Sequence, residues 1–393
     1  MVRIKLLFPI DSTFLSEVIY EGLLYTISMS GNIFNAKEAQ VEDKFLQTLF
    51  EELEPESYEV MKIILTGNDT VNTEIFKKYG LSNIKSKKTL SDLFRVLKEN
   101  STYLISKDEI NLKQSIKGTD VLFDVDSRKE GISLQLLKLD RYTGLTTTEL
   151  NYTSKQLTSY FSKELILISL IGLYSSYVAT ITSITSKGPM QTHYFLFFSP
   201  DEILNLLSKG DKVFLKKLLV NIKGEAKNVI KETLSYSQSN EIILLELMLN
   251  MKIHELMRNE NLEKISTVLF KICPEGQTYK VYEVIPLTMF RDTIFNYKVK
   301  EYFGDRYEDF IEAVQTFLKD KYVRKALLSL NSKRKSDESD NILYAVQHLY
   351  KFVTLGDIQG LYNFLREIWN AHEKTKDKYA SNPYLTILKY FPY

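Results

Sequence analysis

The sequence predicts an α+β protein: a mixed α/β N-terminal body with β-hairpins over residues 1–286, followed by a C-terminal helical bundle over residues 287–393. Three observations carry that expectation. Short apolar or alternating runs bounded by turn residues recur through the first two thirds of the chain. Pro274-Glu275-Gly276-Gln277 is a strong turn signal between two such runs. From Pro286 onward the strand pattern disappears and apolar residues repeat at helical spacing. With 44% hydrophobic residues in 393, there is material for the cores of two or three domains.

In chain order, Ile4–Pro9 is a short apolar run ended by Pro9-Ile10-Asp11-Ser12, and Asp11 or Ser12 is placed to cap a helix over Thr13–Met29 that stops at Ser30-Gly31. Val60–Leu65 reads as a buried strand closed by Thr66-Gly67-Asn68-Asp69. Val121–Asp126 and Ile132–Leu139 alternate around Ser127-Arg128-Lys129-Glu130-Gly131, the pattern of a hairpin. Leu165–Ser186 carries no charge over about twenty residues, the length a bilayer requires. Its second half is rich in Ser and Thr and no asymmetric Lys or Arg cluster flanks it, so it reads as one helix buried in a soluble core. A loop at Thr185–Met190 leads into a strand at His193–Phe198. Two long helical periods, Gly210–Ser235 and Glu241–Asn259, precede a second hairpin, Thr267–Ile272 with Tyr279–Ile285. The bundle then comprises a helix at Met289–Tyr302 and stripes led by Tyr307, Ile342 and Ile358, with a charged, mobile connection at Asn331–Asp340.

The chemistry-bearing residues are sparse. His193, His254, Cys273, His348 and His372 are each about twenty residues or more from the next, without the short spacings of a zinc site. No metal site and no cofactor are expected. Cys273, in Ile272-Cys273-Pro274, reads as an ordinary strand residue, since an activated thiolate needs a basic neighbour or a helix N-terminus. Asp120, Asp124 and Asp126 fall on one strand face and could hold Mg²⁺, but a solvated outer face is the simpler account. Neither the P-loop pattern nor G-x-G-x-x-G nor G-x-S-x-G occurs. A net charge of +1 argues against a generic nucleic-acid coat protein, while leaving room for local basic patches. A single cysteine points to a reducing cytosol, and Met1–Pro9 does not read as a signal peptide, so a cytoplasmic protein with no membrane partner is expected. Lys outnumbers Arg about four to one, and high Lys and Glu with little Cys is a hyperthermophile pattern that an AT-rich genome would also produce.

Between Lys77 and Lys98 the chain is basic; Lys77, Lys78, Lys85, Lys87 and Lys88 are candidate phosphate contacts, and the solvated face of two short helices is the plainer account of them. Lys187, in the loop before the His193 strand, and Lys333, Arg334 and Lys335, in the charged connection, complete the candidate nucleic-acid-binding set.

Arg366-Glu367-Ile368-Trp369-Asn370-Ala371-His372 looks like the Arg-x(4–6)-His signature of the HEPN ribonucleases, whose His and Arg act on the RNA 2′-hydroxyl and phosphate. On a helix, residues six apart point about 120° away from each other, which favours a core or helix-end role for His372. The overall layout resembles another family. A Leu6-Leu7-Phe8-Pro9 strand leads into a Tyr20-Glu21-Gly22-Leu23-Leu24-Tyr25 helix. The apolar Leu170-Ile171-Gly172-Leu173-Tyr174 helix feeds a Tyr194-Phe195-Leu196-Phe197-Phe198 strand, and a helical bundle closes the chain. This resembles the large subunit of the archaeal type I-A CRISPR interference complex (archaeal Cascade). That resemblance implies a non-catalytic subunit whose partners are the other CRISPR complex subunits, crRNA and target DNA. Such a subunit reads the protospacer-adjacent motif and aids strand opening. Two alternatives stand beside it. One is a CRISPR-associated ribonuclease with a nucleotide-sensing α/β domain and a HEPN-like domain using Arg366 and His372. The other is an archaeal interaction protein unrelated to CRISPR.

Overall fold

The computed structural model describes residues 1–6, 13–35, 38–64, 89–134, 136–137, 158–185, 188–209, 211–275, 278–332, 334–379 and 383–391. It has an α+β fold of two compact units, each assembled from separate stretches of chain. The first comprises Met1–Thr180, Gln191–Lys223 and Ile265–Thr288. The second comprises Ile181–Met190, Gly224–Lys264 and Met289–Tyr393. The second unit therefore takes in residues 224–264, which the sequence pattern assigns to the N-terminal body.

The first unit is built on two helices with almost no solvent-facing side. Strand β1 (Val2–Lys5) precedes helix α1 (Phe14–Ser30). Asp11 and Ser12, the expected caps, lie outside the described residues; Thr13 is the cap, its hydroxyl accepting from the Ser16 N–H at 3.3 Å. Of the 17 residues of α1, 14 are buried, the mark of a core helix rather than an amphipathic surface one. After β2 (Gly31–Asn35), β3 (Glu38–Val41), the short helices α2 (Phe45–Glu51) and α3 (Pro55–Glu59), α4 (Leu90–Glu99), and strands β4 (Glu109–Asn111), β5 (Gln114–Lys117), β6 (Asp120–Phe123) and β7 (Thr158–Phe161), the chain enters α5 (Lys163–Ser176). This helix is equally enclosed, from Glu164 through Ser176. The two cross at glycines. A Cβ on Gly22 would lie 1.9 Å from the Ile168 carbonyl oxygen, and one on Gly172 would lie 1.9 Å from that of Val18. Only residues without side chains let the two backbones approach this closely.

Strands surround that pair. The first sheet has the order β2-β3-β1-β4, with β1 antiparallel to β3 and parallel to β4. Ile4 sits between Ala39 and Ile110, and all three are fully buried, which pins the register because a one-residue slip would turn them outward. The second sheet contains β8 (Tyr177–Thr185), β9 (Gly188–Phe198), β10 (Lys264–Glu275) and β11 (Thr278–Phe290) in the order β11-β10-β9-β8. Phe14, at the start of α1, meets Phe195, Phe197 and Phe270 of this sheet edge-to-face at 5.5–5.6 Å. Pro286 is tolerated because β11 is an edge strand with no further ladder to supply.

Several sequence expectations change here. The uncharged stretch at Leu165–Ser186 is not one helix: α5 ends at Ser176, and Tyr177 turns extended to begin β8. Val178, Thr180, Ile181 and Thr182 are β-branched and favour the pleated surface of a sheet, which the neighbouring strand β9 supplies. Among the described residues no helix is long and apolar enough to cross a membrane. Val60–Leu65 is not a strand; Met61 and Ile63 are buried, but the described part makes only the isolated bridge of Ile64 with Thr89. The expected hairpin of Val121–Asp126 with Ile132–Leu139 does not form. Strand β6 pairs instead with β5, antiparallel, and β7, parallel, and Ile132 bridges Phe161. Alternation revealed extended backbone without revealing its partner. The hairpin of β10 and β11 is present as expected, with residues 276–277 of its turn outside the described set.

Helix α6 (Pro200–Lys209) precedes the helical period expected over Gly210–Ser235, which consists of α7 (Lys212–Lys217), a π-turn at Leu218–Ile222 and α8 (Lys223–Leu234), with Gly210 itself outside the described residues. The π-turn adds a residue to the helical path and rotates the faces of α8 relative to those of α7. Lys223 comes immediately after it, is fully buried, and pairs with Glu21 of α1, whose carboxylate also accepts from the Ser175 hydroxyl of α5. Burial pulls the Lys223 ammonium below the ordinary lysine value, and the Glu21 carboxylate opposes that shift.

In the second unit, Asn250 splits the expected helix at Glu241–Asn259 into α9 (Asn240–Met248) and α10 (Met251–Asn259), its side chain accepting from the Ile253 N–H at 2.9 Å. The expected helix at Met289–Tyr302 is also revised, because β11 runs to Phe290 and α11 spans Tyr297–Phe303. Helices α12 (Tyr307–Lys319), α13 (Lys321–Ser329), α14 (Ser339–Leu355), α15 (Ile358–Thr375) and α16 (Pro383–Leu388) complete the unit. Their core holds Phe310, Phe317, Phe352, Phe364 and Phe391. Gly356 ends α14 with φ 66°, a left-handed turn that a side chain would strain. The connection at Asn331–Asp340, expected to be mobile, is tied down where described: Ser336 bonds to the Ser329 hydroxyl through its N–H at 3.1 Å and its own hydroxyl at 3.0 Å.

The helix pair can be tested at two positions. Gly172→Ala should lower unfolding free energy by about 3 kcal/mol in denaturant titration, since the new methyl group meets backbone that cannot move aside. Lys223→Met should cost about 3–5 kcal/mol by stranding the buried Glu21 carboxylate, and adding Glu21→Gln should recover most of that loss.

Candidate nucleic-acid interface

Helices α6 and α7 turn a basic face outward. Ile203, Leu206, Leu207, Leu215 and Leu218 are buried and anchor the inner side. Asp211 caps α7 by accepting the N–H groups of Val213 and Phe214 at 2.9 and 3.1 Å. Lys209, Lys216 and Lys217 are exposed and Lys212 is half-buried. Among the described residues Lys209, Lys212 and Lys216 have no carboxylate partner; Lys209 lies 5.1 Å from the centre of the Phe214 ring. Leu204, Val213 and Val220 are exposed among these lysines. The arrangement offers several point charges on a rigid support, which suits contact with phosphates and supplies no base-edge code. This face is missing from the sequence-predicted site set. Its signal is the run of lysines at 209, 212, 216 and 217, with Asp211 the one acid among them and consumed as the cap of α7.

Lys77, Lys78, Lys85, Lys87, Lys88, Lys187 and Lys333 lie outside the described residues. Arg334 is exposed, and Lys335 pairs with Asp340. The acidic half of the same connection is also engaged: Asp337 pairs with Lys378, whose ammonium hydrogen bond holds the Asp337 carboxyl below the usual aspartate value. The structure thus places Arg334 and Lys335 together, in a segment whose charges are largely matched.

The possible catalytic pair is not brought together. Arg366 is 64% exposed, 3.8 Å from Glu367, whereas His372 is 8% exposed and packs against Trp369 with ring centres 5.6 Å apart. A general acid–base must reach its substrate, and a buried imidazole on another face of the helix does not. Asp120, Asp124 and Asp126 do not share a face. Asp124 lies beyond β6 with φ 57°, accepts the Asn111 N–H at 3.0 Å and pairs with Lys107 at 2.7 Å. Among the described residues no three His, Cys, Asp or Glu side chains gather as metal ligands. Cys273 is a buried residue of β10, its sulfur 3.4 Å from the Thr192 hydroxyl.

His193 is the most perturbed histidine. Its Nδ1 lies 2.8 Å from the Thr180 hydroxyl, Tyr279 meets its ring edge-to-face at 5.6 Å, and it is 1% exposed. Burial pushes its pKa from 6.5 down to about 4. Because the folded value is the lower, the unfolded chain binds more protons between these limits. Stability is therefore fully present above about pH 6.5 and falls as the pH drops toward 4, by on the order of 3 kcal/mol. His193→Asn should remove that component from the pH dependence of unfolding free energy, measured against the unmodified protein.

The chain matches no protein-family model, and no solved structure matches it. It is 41% identical over 399 residues to a protein of Archaeoglobus fulgidus described as an uncharacterized protein, the alignment covering 99% of each. At that identity and coverage, the chain belongs to the same family as this archaeal protein.

Proposed function

We propose that this protein is a nucleic-acid-contacting, non-catalytic subunit, and specifically the large subunit of an RNA-guided CRISPR interference complex that meets target DNA near the protospacer-adjacent motif and aids strand opening. The observation that carries the reading is the lysine face of α6 and α7. Lys209, Lys212 and Lys216 stand without carboxylate partners among the described residues of a chain whose net charge is only +1. Between residues 209 and 216 the single acid is Asp211, which is spent on the α7 cap, so the three lysines form a local positive excess. The α+β body with a helical unit, and an archaeal relative spanning the full alignment, are in keeping with the resemblance to the archaeal Cascade subunit. The ribonuclease alternative draws no support from Arg366 and His372, since one is exposed and the other buried.

The test is the salt dependence of binding to duplex DNA by the full chain and by the complex it assembles into. Changing Lys209, Lys212 and Lys216 together to Glu should weaken binding and flatten the log–log salt slope by about one unit for each phosphate that is no longer held. Discrimination between DNA sequences should not change, because phosphate contacts position without specifying. Unaltered affinity and slope would overturn the assignment of this face.

A further inference from the structure

Helix α15 carries an exposed stripe that the phosphate-contacting reading does not use. Tyr362 is 60% exposed, Arg366 64% and Trp369 50%, and they stand at positions i, i+4 and i+7 of one helix. At about 1.5 Å rise per residue, they span roughly 10 Å along one side. Trp369 is the single tryptophan of the chain. A half-exposed tryptophan leaves a large apolar ring in water, at a cost its burial elsewhere would avoid.

The support beneath the stripe is rigid. Phe364, Ile368, Ala371 and Thr375 hold the opposite side of α15 in the core. Gly360 brings α15 so close to α14 that an added Cβ would lie 2.8 Å from the His348 carbonyl oxygen. Asn341 donates to Glu367 at 2.6 Å, and Lys374 donates to Asn341 at 2.7 Å. The Trp369 ring is oriented by its edge-to-face contact with His372. That contact gives the buried His372 a packing role and reassigns Arg366 from the expected catalytic pair to the stripe. Electrostatically the stripe is cationic where it matters. Arg366 reaches Glu367 only through Nε, at 3.8 Å, so its terminal guanidinium nitrogens have no described partner. Glu373, farther along, is neutralised by Lys376 at 2.8 Å.

We infer that Tyr362, Arg366 and Trp369 form a stacking platform for single-stranded nucleic acid, the two rings taking unpaired bases and the guanidinium taking the phosphate between them. The inference rests on the reading of this chain as a nucleic-acid-contacting subunit and adds to it a second chemistry, on different residues, with a preference for single strands. The lysine face takes phosphates of any nucleic acid. Two rings separated by a planar cation take only bases that are free to leave a stack. The charge argues for this occupant over an apolar partner helix, because Arg366 sits at the middle of the stripe, where a docking helix would have to desolvate it without a carboxylate.

Trp369 makes the test direct, because all indole emission of the chain comes from that ring. The full-length protein is titrated with oligo-dT of about twenty nucleotides and, separately, with a duplex of the same length, following Trp369 emission and the anisotropy of labelled DNA. Oligo-dT should quench the emission while the duplex leaves it nearly unchanged. Tyr362→Ala and Trp369→Ala should each weaken oligo-dT binding about 5- to 100-fold by anisotropy and leave duplex binding intact. Arg366→Gln should weaken oligo-dT binding and reduce its salt slope by about one unit. All three positions are exposed, so thermal midpoints should stay close to that of the unmodified chain. If oligo-dT binds with unchanged affinity in Tyr362→Ala and Trp369→Ala, the platform is refuted while the proposed function stands. If neither DNA binds at low salt, the proposed function fails and the platform with it. Emission that shifts with protein concentration in the absence of DNA would assign the stripe to contact between copies of this chain and likewise overturn the inference.

Discussion

The close crossing of α1 and α5 is the constraint on which the first unit depends. Two helices that are apolar on nearly every side are ordinarily held apart by their own side chains. Here Gly22 lies against the backbone of Ile168, and Gly172 against that of Val18, so the two cylinders nearly merge. Everything else in the unit is layered on the pair. Phe14 at one end of α1 keys into the aromatic face of β9 and β10. Tyr174 of α5 meets Tyr25 of α1 and Phe94 of α4 edge-to-face, carrying the same packing outward. Dispersion accounts for such a core only at close range, which is why a single methyl group at the crossing outweighs a surface change many times its size.

The crossing also explains the buried charges. Glu21 precedes Gly22 in sequence and is carried into the interior with it, where an unpaired carboxylate would be prohibitive. Ser175 answers it from α5 and Lys223 from α8, the latter re-aimed by the π-turn that precedes it. Lys223 also lies 5.1 Å from the centre of the Phe198 ring, so its charge faces a carboxylate and an aromatic face together. Three helices and a strand end are thereby registered to one another by a polar contact inside an apolar core. Such a contact contributes specificity of arrangement more than net stability.

Both units combine matched and unmatched cations among the described residues. In the second, Arg324 answers Glu232 and Glu246, Lys252 answers Glu225, and Lys378 answers Asp337, while Lys319, Lys321 and Lys325 have no carboxylate partner among the described residues. In the first, Lys209, Lys212 and Lys216 of α6 and α7 likewise have no carboxylate partner among the described residues. The stripe of α15 sets two exposed rings beside Arg366, where α6 and α7 carry lysines. On the readings proposed above, a chain near neutrality overall holds two chemically separate contact regions without the broad basic excess of a coat protein.

By itself the sequence determined the α+β class, the β10–β11 hairpin, the helical stripes after Pro286 and the scarcity of catalytic side chains. Each of these depends on periodicity, turn chemistry or composition over a few residues, and such signals survive without knowledge of distant partners. It also held the lysine run of α6 and α7, with Lys209 ending one helix and Lys212 and Lys216 one turn apart in the next, after the Asp211 cap. The tertiary structure decided everything that depends on partners far apart along the chain. Strand β6 chose β5 and β7 over the nearer Ile132 segment, because β-pairing is settled by which face must be buried. The uncharged stretch after Lys163 divided into helix and strand because a sheet was available to receive its β-branched half. Gly22 meeting Ile168, Glu21 finding Lys223, Arg366 facing solvent while His372 turned inward: these depend on how helices cross and which side they bury, which no local pattern encodes.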